Sequence, residues 1–97
     1  MTNLDVSLLD TVRAALDIDD TEESWQAEGV PTEFRRYVDR AAQSLLTEPG
    51  PEPRAAVVTP RRVCERAIGL IDRDMVGQHG WRAHVLTQTR RLFARVG

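Results

Sequence analysis

The side chains best equipped for chemistry crowd into one short run. Gly77–His84, GQHGWRAH, holds two glycines, a tryptophan and both histidines of the chain. A metal site is the first chemistry to consider. His79 and His84 lie five residues apart, about 140° around a helix, so one helix cannot aim both at one ion. Asp74 and Cys64 could be recruited from nearby sequence, but the four together match no recognised ligand spacing. Cys64 is the single cysteine, so no internal disulfide can form. It falls on the apolar side of its segment, where a thiol is an inert, buried group rather than a nucleophile. No serine sits in a nucleophile elbow, and GQHG is neither a phosphate loop nor a dinucleotide fingerprint. Nothing marks a catalytic carboxylate pair. The expectation is a chain without catalytic residues, metal or cofactor, and a small enzyme or ligand-binding domain ranks third among its possible roles.

Charge is the more informative signal. All thirteen basic residues are arginine and none is lysine. A GC-rich genome accounts for that usage, as would selection for bidentate guanidinium contacts with carboxylate or phosphate. Residues 1–48 hold eleven acids and four arginines, a balance of −7, whereas residues 49–97 hold four acids and nine arginines, a balance of +5. Such an asymmetric chain can pair its own halves, associate head to tail, or dock on a partner of complementary potential. The arginines at 61, 62, 66, 73, 82, 90, 91 and 95 suggest nucleic acid as the alternative partner. Against a helix–turn–helix stand the long turn around GQHG, the bulky aromatic opening WRAHVLTQTRR, and the acidic overall charge.

These residues need helices to position them. A first amphipathic segment runs from about Asn3 to Ile18, with Leu4, Leu8, Leu9, Val12, Ala15 and Leu16 on one face and Thr2 with Asp5 as a capping box. The acidic stretch DIDDTEESWQAEG suggests a short helix near Thr21–Glu28, with Asp20 and Glu23 resembling a cap, Gly29 at its C-terminal end and Trp25 folded onto the core. The third segment, VPTEFRRYVDRAAQSLLTEPG, carries a stripe of Phe34, Tyr37, Val38, Ala41 and Leu45. Thr32 reads as its cap, Glu33 as its first-turn anion, and Pro49 with Gly50 as its stop. EPGPEPR is a stiff connector, and AAVV an extended, half-buried entry to the next helix. Thr59-Pro60 starts a helix to about Met75 with Val63, Cys64, Ala67, Leu70, Ile71 and Met75 on its apolar face. Arg62, Arg66 and Arg73 fall within about 40° of one another on the other side. The last helix runs from about Trp81 to Val96. Trp81, Val85, Leu92, Phe93 and Val96 face inward, and His84, Gln88, Arg91 and Arg95 line the opposite side.

The fold class that follows is all-α: one domain over residues 1–97, a small bundle of four main helices plus one short helix, with no sheet. It divides into an acidic helical half (1–48), a Pro-rich connector (48–54) and a basic helical half (55–97). The N-terminal stretch has no secretory or myristoylation pattern, and no apolar run approaches the ~20 residues of a membrane span, so the cytosol is the expected location. The expected function is that of a non-catalytic accessory or regulatory protein working through protein contacts, with a partner or as a homodimer. Its polar contacts would come from Arg62, Arg66, Arg73, His84, Arg91 and Arg95, and its anchors from Trp25 or Trp81.

Overall fold

A computed structural model describes residues 4–48 and 58–96, with side chains from residue 8 onward. The described residues form five helices and no strands: α1 (Leu4–Ala15), α2 (Glu23–Gln26), α3 (Val30–Thr47), α4 (Pro60–Met75) and α5 (Trp81–Phe93). None of them is long and apolar enough to cross a membrane. The capping box at Thr2, most of the connector and most of AAVV lie outside the described residues.

α1 stops earlier than its periodicity suggests, at Ala15 rather than Ile18. Asp17 adopts φ 57°, a left-handed conformation that aspartate tolerates better than most residues. The Ile18 amide then reaches the Arg13 carbonyl at 3.0 Å and the Asp17 amide the Ala14 carbonyl at 3.1 Å, the paired bonds of a Schellman stop. Ile18 is thereby turned into the core while Ala15, expected there, is exposed. α2 is a single turn, shorter than Thr21–Glu28, and no side chain caps it. The Asp19 carboxylate instead accepts the Thr21 amide and hydroxyl, both at 2.8 Å, which holds the acidic loop in a turn ahead of the helix.

α3 begins two residues before Thr32. Its N-cap is Gly29, at φ 86°, not Thr32, which lies inside the first turn. Pro31 accounts for this: proline fits the first turn, where its missing N–H has no partner to lose, so the helix must start ahead of it. Gly29 therefore closes the α2–α3 junction rather than serving as the residue just after α2. At the far end Glu48 is extended, as expected of a residue preceding proline. α4 follows the Thr59-Pro60 signal, with the Thr59 hydroxyl accepting the Arg62 amide at 3.2 Å. Gly77 and Gly80, at φ 81° and 74°, turn the chain into α5, which ends at Phe93, short of Val96.

The core is one cluster that ignores the division into halves. Val12, Leu16 and Ile18 meet Phe34, Tyr37, Val38, Ala41 and Leu45 of α3, Val63, Cys64, Ala67 and Ile71 of α4, and Val85, Leu86, Leu92 and Phe93 of α5. Its centre is a stack of Phe34 on Phe93, centroids 4.3 Å apart and planes within 5°. Each such ring contributes ~1.5–3 kcal/mol by leaving water. Thr89, buried on α5, satisfies its hydroxyl by donating to the Val85 carbonyl at 2.8 Å. Trp81 does not join this core. It is 59% exposed, because it occupies the first position of α5 and the packed layer begins one turn later, at Val85.

Candidate interaction surface

Trp81 sits where the α4–α5 turn runs alongside the first turns of α3. Its six-membered ring lies against Gly29: a Cβ built on that glycine would stand 3.1 Å from Cη2 and 3.2 Å from Cζ2. Glycine thus serves twice here, allowing φ 86° and letting the indole approach the backbone. Val76, opening the same turn, is 81% exposed, and His79 between them is exposed as well.

One residue beyond the tryptophan, Arg82 donates from Nη1 to Glu33 Oε2 at 2.9 Å. Glu33 is buried, and its second oxygen, Oε1, has no hydrogen-bond donor among the described residues; Arg36 Nε lies 3.9 Å from it. A second carboxylate, Asp74 at the end of α4, is held from two sides. Tyr37 Oη and Arg40 Nη1 both donate to its Oδ2, each at 2.6 Å, and the Arg40 guanidinium lies 5.1 Å over the Tyr37 ring. These two donors, the tyrosine hydroxyl first, hold the Asp74 carboxyl below its ordinary range. Burial, reinforced by the same hydrogen bond, pushes the Tyr37 phenol up to about 12. The phenol therefore stays protonated and keeps donating. Across this face the carboxylates lie underneath and the guanidiniums outside.

Of the arginine stripes expected from the sequence, Arg66 and Arg95 are spent inside the molecule. Arg66 bonds Ser44 and Glu48 at the end of α3. Arg95 grips Glu22 with two bonds, 2.6 and 3.0 Å, and also reaches the Asp17 carbonyl. That grip is the main reason the Glu22 carboxyl drops to about 2. Arg90 forks onto Asp72 at 2.6 and 3.2 Å. Arg73, Arg91 and His84 are exposed and their side chains form no hydrogen bond or ion pair among the described residues, while Arg62 is exposed at the start of α4. Trp25 packs edge-on against Phe34, centroids 5.3 Å apart, and the Arg13 guanidinium covers it at 4.5 Å, with Arg13 also paired to Asp20. Of the two tryptophans, Trp25 belongs to the core's edge and Trp81 to the surface.

The catalytic alternatives gain nothing from the geometry. Cys64 is buried, and burial pushes its thiol up to about 11, away from thiolate chemistry. Among the described residues no three His, Cys, Asp or Glu side chains gather to hold a metal ion. Two open depressions flank α3: one of about 340 Å³ lined by Leu45, Glu48, Arg62, Glu65 and Arg66, and one of about 410 Å³ beside Asp39, Arg40, Gln43 and Leu70. Neither collects convergent, unpartnered polar groups.

Sequence reasoning misses most of the Trp81 face: Gly29, Glu33, Arg36, Tyr37 as a donor and Arg40; Arg82 it names only among the arginines for nucleic acid. One signal was available. Glu33 falls on the apolar stripe of α3, and a charge on a buried stripe needs a partner from another element. The chain matches no family model, no curated protein and no solved structure.

Proposed function

We propose that this chain is a non-catalytic, cytosolic accessory or regulatory protein that acts through protein contacts, and that its contact surface is the Trp81 face. The observation that carries this reading is a large aromatic side chain, 59% exposed, backed by a glycine and left uncovered on its outer side. An indole held in one place loses little conformational freedom when a partner covers it, which is why tryptophan so often anchors interfaces. The Arg82–Glu33 and Arg40–Asp74–Tyr37 bonds fix the elements around it. The nucleic-acid alternative has less support, since Arg66, Arg90 and Arg95 already hold carboxylates of their own chain.

Capture from extracts of the native cells tests the proposal, comparing the wild-type protein with Trp81→Ala. The wild-type bait should retain at least one protein that the variant loses, with helix content unchanged by circular dichroism. Equal recovery of the same proteins by both baits refutes the assignment of Trp81.

A further inference from the structure

The charges around Trp81 specify what would cover it. Arg36, Arg40 and Arg82 expose 53%, 43% and 38% of their side chains, whereas Glu33 and Asp74 beneath them expose 11% and 30%. An approaching surface therefore meets guanidinium first, with Glu28 an exposed carboxylate beside Gly29 at the edge. The complement is a carboxylate-bearing segment with little side-chain bulk opposite the indole.

The chain itself carries such a segment. In the loop after α1 and at the first residue of α2, Asp17, Asp19 and Glu23 are exposed; none of the three carboxylates is in an ion pair among the described residues, although Asp17 lies in the field of Arg95 and Asp19 in that of Arg13. Ala14 and Ala15, exposed at the end of α1, provide a flat apolar landing beside them. Within its own molecule the Arg95–Glu22 tie holds the loop away from the Trp81 face. That tie lies beyond one end of α5, while Trp81 and Arg82 sit at the other end, ~20 Å away at 1.5 Å per residue. A neighbouring copy can bring its loop to that face.

We infer that the Trp81 face binds the acidic 17–23 loop of a second copy, head to tail. The contact inferred is one-way, one copy's face on the next copy's loop and not a reciprocal exchange within a pair, so each added copy leaves one face and one loop free and association continues past the dimer. This rests on the reading of Trp81 as a contact residue and adds the identity of the partner.

Sedimentation velocity on the purified protein, from micromolar to millimolar concentration, tests it. Wild type should grow past dimer with concentration. Growth should be stronger at ~10 mM than at ~1 M salt, where the screening length has dropped from ~30 to ~3 Å. A face variant (Trp81→Ala with Arg36→Glu) and a loop variant (Asp17→Asn with Glu23→Gln) should each self-associate more than ~10-fold more weakly. Mixed together, they retain one intact interface per pair and should form a 1:1 heterodimer that grows no further. Circular dichroism on each variant secures the fold. A wild type that stays monomeric, a closed dimer, or a mixture that forms no heterodimer overturns the inference. If wild type stays monomeric yet a different protein is captured in a Trp81-dependent way, the contact surface stands and only its occupant is wrong.

Discussion

Trp25 and Trp81 both lean on the start of α3, and they end in opposite conditions. Trp25 meets an aromatic neighbour, Phe34, edge-on and is roofed by the Arg13 guanidinium, so two neighbours engage its ring. Trp81 meets a glycine and, among the described residues, has no ring or guanidinium over it, so that it stays 59% exposed. The surrounding ion pairs differ in the same sense. Near Trp25, Arg95 closes the acidic loop onto the end of α5 and Arg13 pairs with Asp20. Near Trp81 the arginines pair downward, with carboxylates beneath them, and keep part of each guanidinium in water. The two tryptophans thus show what distinguishes packing from presentation: whether a ring is engaged by its neighbours or only backed by one.

The contrast can be broken most severely at the seat of Trp25. Phe34→Ala removes a fully buried ring that touches both Trp25 and Phe93, and should lower stability by ~3–5 kcal/mol in urea titration. An effect under ~0.5 kcal/mol, the range of ordinary surface changes, would mean that the stack is not the centre of the core.

A smaller effect is expected at the seat of Trp81. Gly29→Ala forces a Cβ into left-handed backbone and to 3.1 Å from the indole, so stability should fall by ~1–2 kcal/mol from the backbone alone. The ring must also lift. In a Trp25→Phe background, acrylamide should quench Trp81 more strongly after the change, and unchanged quenching would show that glycine does not cradle it.

The gentlest perturbation is acid. The Glu22 carboxyl is lowered from 4.5 to about 2 by Arg95, so its contribution is complete above its ordinary value and disappears as pH falls toward 2. Asp72, lowered by Arg90, and Asp74, lowered by Tyr37 and Arg40, act in the same direction. Arg95→Met should make stability less steeply dependent on pH between 4.5 and 2, as read from urea midpoints across that window. An identical slope in the variant would remove the Glu22 clamp from the account.

How much of this was legible in the sequence depends on the range of the physics involved. The Thr59-Pro60 start, the α3 stripe and the Gly77–Gly80 turn are local, and each is where spacing and turn chemistry place it. The start of α3 was misplaced because Thr32 is a plausible cap; Pro31, correctly weighed, moves the boundary upstream. Trp81 was misjudged for a different reason. Its angle on the helical wheel does match Val85 and Leu92, but a wheel records direction and not depth along the axis, and residue 81 lies beyond the edge of the packed layer. The ion pairs were beyond reach altogether. A net imbalance between halves says that arginines will find acids, but only the packed backbone decides that Arg95 meets Glu22, 73 residues away, and Arg82 meets Glu33.

The Phe34–Phe93 stack also bears on the order in which the protein is made. A ribosome delivers Phe34 well before Phe93, and α1 to α3 emerge with the apolar stripe of α3 still lacking its lid. Until α5 arrives, that half offers an uncovered aromatic surface to whatever is nearby in the exit region. α5 therefore closes the core that α1 to α3 leave open, and chains cut short before residue 93 carry an aggregation hazard that the packed core conceals.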